Sequence, residues 1–426
     1  MKLLLVSRRY YPEVIGGGQI SAHAIAQALV CAGHDVRVLT FNANNKRIDE
    51  KINGVTIVRL PIRELTFFPR LSNLEWMYYE MRRQTQAYLS EFTPDLIHAL
   101  NGESVPAIAP LSKKVGIPFV ATVNGPWFFC FPGEGVDSKG NDCLGCTVKQ
   151  RFTESILKWG CEGFLSKIKA FFYFMYSYPH MYLIQKSLRQ ASMLLPVSNG
   201  FAHRLIKLGY PKEKIRVTHN PMTSHRKVFT QIKQQLSIPS NNKIILFAGR
   251  LTETKGVQNM IKALTNLPTV HAIIVGKGPY EQVLKQLSQD LRVANRVHFT
   301  GFINPDNIKF YYSVADIVIM AGTFYEALGR MLLEACSYGV PVIATNKAGN
   351  PDIIEHGKNG YLLETQEIAE LVECILKILK YPARAKAMGI AGQKKIATEF
   401  VPSRIAKDLT LAYQAALEYH TLHSTR

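Results

Sequence analysis

Along the chain, short apolar runs alternate with segments whose apolar residues recur every three to four positions. "KLLLV" (2–6) suits a buried strand, "ISAHAIAQALVCAG" (20–33) has helical spacing and a stop at Gly33, and "DVRVLTF" (35–41) is a second strand. Strand, glycine loop, helix and strand make a βαβ unit, whose right-handed crossover gives a parallel pair. Further strands are predicted at "DLIHAL" (95–100), "FVATV" (119–123) and "SMLLPVS" (192–198). The pattern then restarts with "KIILFAGR" (243–250), "HAIIVGKG" (271–278), "RVHFTGF" (296–302), "DIVIMAG" (316–322) and "PVIAT" (341–345), with helical segments between. Two such series predict two doubly wound α/β domains, each a parallel sheet covered on both faces. The polar stretch 218–242 reads as the connection, placing the domains at 1–220 and 221–402. A last amphipathic pattern within 403–426 lies beyond the second series and is expected to pack on the first domain. Ligands in open α/β sheets sit beyond the carboxyl ends of strands, where strand order reverses, so chemistry is sought after strand ends.

Several strand ends carry it. In "YYPEVIGGGQIS" (10–21), Gly16, Gly17 and Gly18 allow close backbone approach at a helix N-terminus, suiting a phosphate or a sugar. The run is not G-x-G-x-x-G and no acidic residue ends the second strand, which argues against a dinucleotide oxidoreductase. In "FAGRLTETKG" (247–256), Arg250 and Lys255 would suit a diphosphate, one as a bidentate fork and the other as a point charge. In "MAGTFYEALGRMLLEACSYGVPVIAT" (320–345), Glu326 and Glu334 stand eight residues apart. On an ideal helix that spacing is about 12 Å of rise and about 80° of rotation. Gly329 and Arg330 between them fall in the first turn, where bare amides attract an anion. Hydroxyls at both ends and a diphosphate between is the layout of a nucleotide-sugar, and carboxylates accept from vicinal hydroxyls. Asn124, in "ATVNGP", ends another strand at an Asn-Gly-Pro turn signal followed by the aromatic segment "WFFC". His98 also ends a strand, and a lone His there is either a packing residue or a base.

Composition narrows the partners. With 426 residues, 47% hydrophobic and 19% charged, the chain can bury two cores. Its formal charge is +19, and residues 1–220 hold 27 Lys+Arg against 16 Asp+Glu, a net of +11. That excess suggests an anionic partner, either a phosphorylated substrate, a lipid headgroup surface or a nucleic acid; no nucleic-acid recognition motif supports the last. "MKLLLVSRR" is no secretory signal, and "AFFYFMYSYPHMYLI" (170–184) is too short for a span and is interrupted by Pro179 and His180. Lys167 and Lys169 precede it, so it reads as an interfacial membrane segment or as a hairpin packed on the protein. The expected location is cytoplasmic, with peripheral contact on the inner face of the membrane. Cys31, Cys336 and Cys374 lie in apolar helical contexts and read as core. Cys130, Cys143, Cys146 and Cys161, as C-x12-C-x2-C-x14-C, read as a structural zinc site or as four unlinked thiols.

Taken together, Glu326 to Glu334, the "GRL…KG" run with Lys255, "VGKGP" (275–279), "VHFTGF", "YGVPVIAT", "YPEVIGGGQ" and "CAGHDVRVLT" resemble a family 4 glycosyltransferase of GT-B architecture. The resemblance covers nearly the whole chain. It implies two Rossmann-like domains facing an interdomain cleft, with the donor mainly on the C-terminal domain and the acceptor on the N-terminal one. It further implies retaining transfer of a sugar from a UDP- or GDP-sugar to a glycan or lipid-linked acceptor hydroxyl, without a required metal. By the same resemblance Arg250, Lys255 and the amides of Leu328 and Gly329 hold the diphosphate, beside Arg330. Glu326 meets donor-sugar hydroxyls, Glu334 the ribose, and Phe302 and Ile303 the nucleobase, while Gly17 and Gly18 approach a donor phosphate. Similar proteins carry His where Asn124 stands, Pro-Ser at Ala321-Gly322 and Gly-Gly at Ala348-Gly349. The cysteine-containing insert after Asn124 resembles that of a subset acting in surface polysaccharide assembly, and is expected to shape the acceptor side. Asn cannot serve as a base, so its amide is expected to orient the donor. A non-catalytic nucleotide-sugar-binding or scaffold protein on the same fold is the alternative.

Overall fold

The computed structural model describes residues 1–13, 16–42, 46–62, 70–131, 133–137, 142–143, 152 and 164–423. They divide into two compact units, Met1–Pro221 with Pro402–Arg426, and Met222–Val401.

The first unit runs β1 (Lys2–Val6), α1 (Gly17–Cys31), β2 (Asp35–Asn42), β3 (Ile48–Ile52), β4 (Val55–Pro61), α2 (Arg70–Tyr88), β5 (Leu96–Ala99), α3 (Val105–Val115), β6 (Phe119–Val123), α4 (Phe164–Arg189), β7 (Met193–Pro196) and α5 (Asn199–Lys207). Its described strands form one sheet in the order β3-β4-β2-β1-β5-β6-β7, parallel except for β3. Leu3, Leu4, Leu5 and Val6 are all fully buried, so both faces of β1 are covered, which is why it reads as a continuous apolar run rather than an alternation. β3 and β4 are absent from the sequence prediction. They form a hairpin through Asn53 (φ 49°) and Gly54 (φ 84°), the paired positive φ angles of a type I′ turn, so "NG" was the signal that marks them.

The second unit runs β8 (Lys243–Ala248), α6 (Val257–Ala263), β9 (Val270–Val275), α7 (Glu281–Asp290), β10 (Val297–Gly301), α8 (Ile308–Val314), β11 (Ile317–Met320), α9 (Arg330–Ser337), β12 (Val342–Thr345), β13 (Gly360–Leu363), α10 (Ile368–Leu379) and α11 (Pro382–Glu399). Its described strands form a parallel sheet in the order β10-β9-β8-β11-β12-β13. Four-residue β13 is the other strand the periodicity does not predict. The last helix, α12 (Pro402–His423), belongs to the first unit. Ile405, Leu409, Ala412, Tyr413 and Ala416 on its inner stripe join the core made by Leu3, Leu5, Ile25, Leu29 and Val38.

Both sheets reverse strand order once, between β1 and β5 and between β8 and β11. At these points successive crossovers leave toward opposite faces and open a crevice beyond the carboxyl ends. One core assignment is corrected: Cys31, the last residue of α1, is exposed, whereas Cys336 and Cys374 are buried as expected. Its helical context placed it on α1 but did not show that the stripe ends at Leu29. No described helix is long and apolar enough to cross a membrane.

Candidate active site

At the second unit's switch point, the loop after β8 and the loop after β11 are packed backbone against backbone. Gly256 adopts φ 78°, and a Cβ there would fall 2.1 Å from the Ala321 carbonyl oxygen; one on Gly322 would fall 2.2 Å from that of Thr254. Neither position can hold a side chain unless a loop moves. The Phe324 amide donates to the Thr254 carbonyl at 2.9 Å, and the Asn259 side chain to the Ala321 carbonyl at 2.9 Å. From the β12 side, Thr345 Oγ1 donates to the Gly322 carbonyl (2.8 Å) and the Gly349 amide to that of Glu326 (2.9 Å).

This clamping corrects the helical placement of the two carboxylates. α9 begins at Arg330, with Gly329 as its extended N-cap, so Glu326 lies in the loop and only Glu334 is helical. The rise and rotation expected for a continuous helix do not apply, because the loop is held against the β8 turn. Glu326 pairs with Lys255, both side chains about one-fifth exposed, at 19% and 20%. The Lys255 ammonium also stands 3.9 Å from the centre of the Phe324 ring. Glu334 accepts from Arg330 Nε at 2.8 Å and from the buried Tyr312 hydroxyl at 2.8 Å. Burial first, and Glu334 second, hold that hydroxyl well above its usual range, so Tyr312 stays a donor.

Arg250 stands exposed at the end of β8, and among the described residues no side chain pairs with it. Leu328 and Gly329 are buried immediately before α9, whose first amides have no helical acceptor. Phe302 follows β10 and is 65% exposed, with Ile303 half-buried beside it. The structure thus brings Glu326, Leu328, Gly329, Arg330 and Glu334 onto one pinned loop and helix start, with Lys255 reaching Glu326 from the loop after β8. Arg250 stands on the neighbouring strand end, and Phe302 and Ile303 lie two strands away. Phe324, against Lys255, and Tyr312 of α8, against Glu334, are not predicted from the sequence; an aromatic residue in the charged loop after β11 was the available signal for Phe324 alone.

In the first unit, Gly17 and Gly18 open α1, where the Gln19 side chain accepts from the Gly16 amide at 3.1 Å. At this sheet's own switch point Arg8, after β1, pairs with Glu103, after β5, at 2.8 Å. Asn124 follows β6. Its Nδ2 donates to the Leu100 carbonyl (3.3 Å), and its Oδ1 accepts from Trp127 Nε1 (3.3 Å). The aromatic segment after it is mostly core: Phe128 and Phe129 are buried, and the Phe128 ring meets those of Phe201 and Tyr210. His98 is fully buried between the Tyr413 hydroxyl (2.8 Å) and Thr122 Oγ1 (2.7 Å), and burial pushes it down to about 3. It is a packing residue. Cys130 is buried and Cys143 half-buried, while Cys146 and Cys161 lie outside the described residues. Among the described residues no cluster of three or more His, Cys, Asp or Glu can hold a metal.

Two family models match the chain in succession, Glycosyltransferase Family 4 over residues 15–226 and Glycosyl transferases group 1 over residues 228–395. The chain is a family 4 glycosyltransferase. An uncharacterized glycosyltransferase of Methanocaldococcus jannaschii is 24% identical to it over 98% of this chain and 99% of that one. A GDP-mannose-dependent phosphatidylinositol monomannoside mannosyltransferase of Mycobacterium tuberculosis is 32% identical, over 37% of this glycosyltransferase and 43% of the mannosyltransferase. Among solved structures, Anabaena HepE in complex with UDP matches with a TM-score of 0.70 at 20% identity, covering 97% of this chain and 100% of that one. That likeness shows the fold: this glycosyltransferase has GT-B architecture, with two Rossmann-like domains.

Proposed function

We propose that this glycosyltransferase moves a sugar, with retention of configuration, from a nucleoside-diphosphate sugar to an acceptor hydroxyl on a glycan or a lipid-linked glycan in surface polysaccharide or glycoconjugate assembly. The observation that carries the reading is the Lys255–Glu326 pair pinned at the β8/β11 switch point, where Arg250, which pairs with no side chain among the described residues, follows β8. A diphosphate there meets two cations and the first amides of α9, which stabilise the charge that grows as it departs. Glu326 accepts from donor-sugar hydroxyls and Glu334 from the ribose, while Phe302 and Ile303 line the nucleobase. The bond between sugar C1 and the phosphate oxygen breaks as the acceptor oxygen bonds to C1 on the same face. The acceptor's proton passes to the departing phosphate oxygen, which becomes more basic as its bond breaks. No side-chain base is then needed, and Asn124, steadied by Leu100 and Trp127, orients the donor through its remaining amide hydrogen.

One relative is by name a GDP-mannose-dependent phosphatidylinositol monomannoside mannosyltransferase, and HepE binds UDP, which supports either nucleotide and an acceptor at an anionic membrane surface. The test is a panel of UDP- and GDP-sugars, reading release of nucleoside diphosphate with and without glycan and lipid-linked acceptors. Failure to bind any nucleoside diphosphate would sink the reading. Tight donor binding without turnover on any acceptor would favour the non-catalytic alternative.

A further inference from the structure

Helix α4 has two unlike apolar faces. Ala170, Phe174, Ser177, Met181, Ile184 and Leu188 recur at spacings of three and four and are buried. Opposite them, Ile168, Phe171, Phe172, Met175 and Tyr182 are 37%, 50%, 59%, 52% and 65% exposed. That outer stripe spans about 21 Å of helix at 1.5 Å per residue. It cannot turn inward, because the inner side is tied down. Tyr176 donates to Glu75 of α2, His180 Nδ1 stands 3.4 Å from the same carboxylate, and Gln185 Nε2 donates to the Phe128 carbonyl at 3.3 Å. A contiguous exposed stripe of Phe, Met and Tyr on a fixed helix marks a contact surface rather than scattered surface apolar residues.

The charge selects the occupant. Phe164–Arg189 contains Lys167, Lys169, Lys186 and Arg189 and no carboxylate. Lys186 Nζ lies 5.7 Å from the ring centre of Tyr182, so a cation borders the stripe at its exposed end. A second copy of this chain would bring the same cations to the same face and be repelled. An anionic bilayer offers hydrocarbon for the rings at the headgroup boundary and negative charge for the lysines.

We propose that the outer face of α4 is the surface by which this protein docks on an anionic lipid bilayer, with Phe171, Phe172, Met175 and Tyr182 entering the interface and Lys167 and Lys186 meeting lipid headgroups. This deepens the membrane part of the reading above, and its test measures binding without any sugar transfer, so each can fail alone. The full-length protein is sedimented with phosphatidylcholine vesicles, and with phosphatidylcholine vesicles containing phosphatidylglycerol, at low salt and at about 0.5 M salt, where screening shortens to a few ångströms. Retention is expected on the phosphatidylglycerol vesicles at low salt alone. Phe172→Ser with Met175→Ser should weaken it at least tenfold, and Lys186→Gln about fivefold. These side chains are exposed, so each variant should melt with the parent; a variant that does not is replaced by the single exchange at Phe172. The proposal is overturned if the parent protein stays in the supernatant with phosphatidylglycerol vesicles, or if the stripe variants bind as well as the parent. It is equally overturned if light scattering finds a dimer that these variants dissolve.

Discussion

Glu326→Gln keeps the shape of the side chain and removes its charge, which separates binding of the diphosphate from positioning of the sugar. In the structure Glu326 holds Lys255, with both side chains about one-fifth exposed. The loop that carries Glu326 is fixed by main-chain bonds to Thr254 and Gly349 rather than by its carboxylate. Folding should therefore tolerate the exchange, because Gln keeps an oxygen that can accept from Lys255; the cost is about 1–3 kcal/mol for a pair largely shielded from water. Lys255 keeps its seat over Phe324, 3.9 Å away, and loses its internal anion, so its charge becomes more available to a diphosphate. The sugar, by contrast, loses a charge-assisted hydrogen bond worth roughly 1.5–3 kcal/mol, about ten- to hundredfold in rate. The expected pattern is nucleoside diphosphate affinity equal to or tighter than the parent's by calorimetry, with kcat/KM for transfer down by that factor. The opposite pattern, weakened diphosphate binding with unchanged transfer, would refute the assignment of Glu326 to the sugar and of Lys255 to the phosphates.

Arg250→Ala should weaken nucleoside diphosphate binding roughly ten- to hundredfold by calorimetry, with Arg250→Lys only partly restoring it because the bidentate fork is lost; an unchanged Kd would remove Arg250 from the site. Asn124→His should retain transfer if the residue orients the donor, and complete loss of transfer would mean that the pocket requires the amide. Ala348 stands at φ 52°, a left-handed conformation that glycine adopts without strain, so Ala348→Gly should stabilise the protein by about 1 kcal/mol, read as a higher urea midpoint. A midpoint no higher than the parent's would show that this conformation is without cost. His98 is pushed from 6.5 down to about 3 by burial, so between those values the unfolded chain takes up a proton that the folded chain refuses. Its stabilising contribution is whole above pH 6.5 and falls by about 1.4 kcal/mol per pH unit as acid is added. His98→Gln should flatten the slope of urea stability between pH 6 and 4 by up to one proton, and an identical slope would place the titration elsewhere.

Several strands that read clearly from the chain are buried on both faces: β1, β8, β9 and β11 are largely apolar runs because helices cover both sides of their sheets. β3 escaped because it is an edge strand, "IDEKI", polar on a side that faces solvent, and its hairpin was marked by the φ > 0 pair Asn53-Gly54 rather than by periodicity. The candidate site was legible as a set of residue types after strand ends, since topology alone brings the ends of β8 and β11 together. Its geometry was not. Two glutamates eight positions apart imply a helix only if nothing pulls the first four residues away, and what pulls them is a contact of Gly322 and Phe324 with a loop some seventy residues earlier. The same limit applies to Asn124, whose amide is held by a carbonyl 24 residues upstream and an indole three residues downstream. Local sequence supplies the polar and charged atoms of the candidate site, and close packing of distant backbone decides which of them are brought together. The glycines at 256 and 322 are therefore as much a part of the site as the charges beside them: a methyl group at either would move Glu326 without touching its carboxylate.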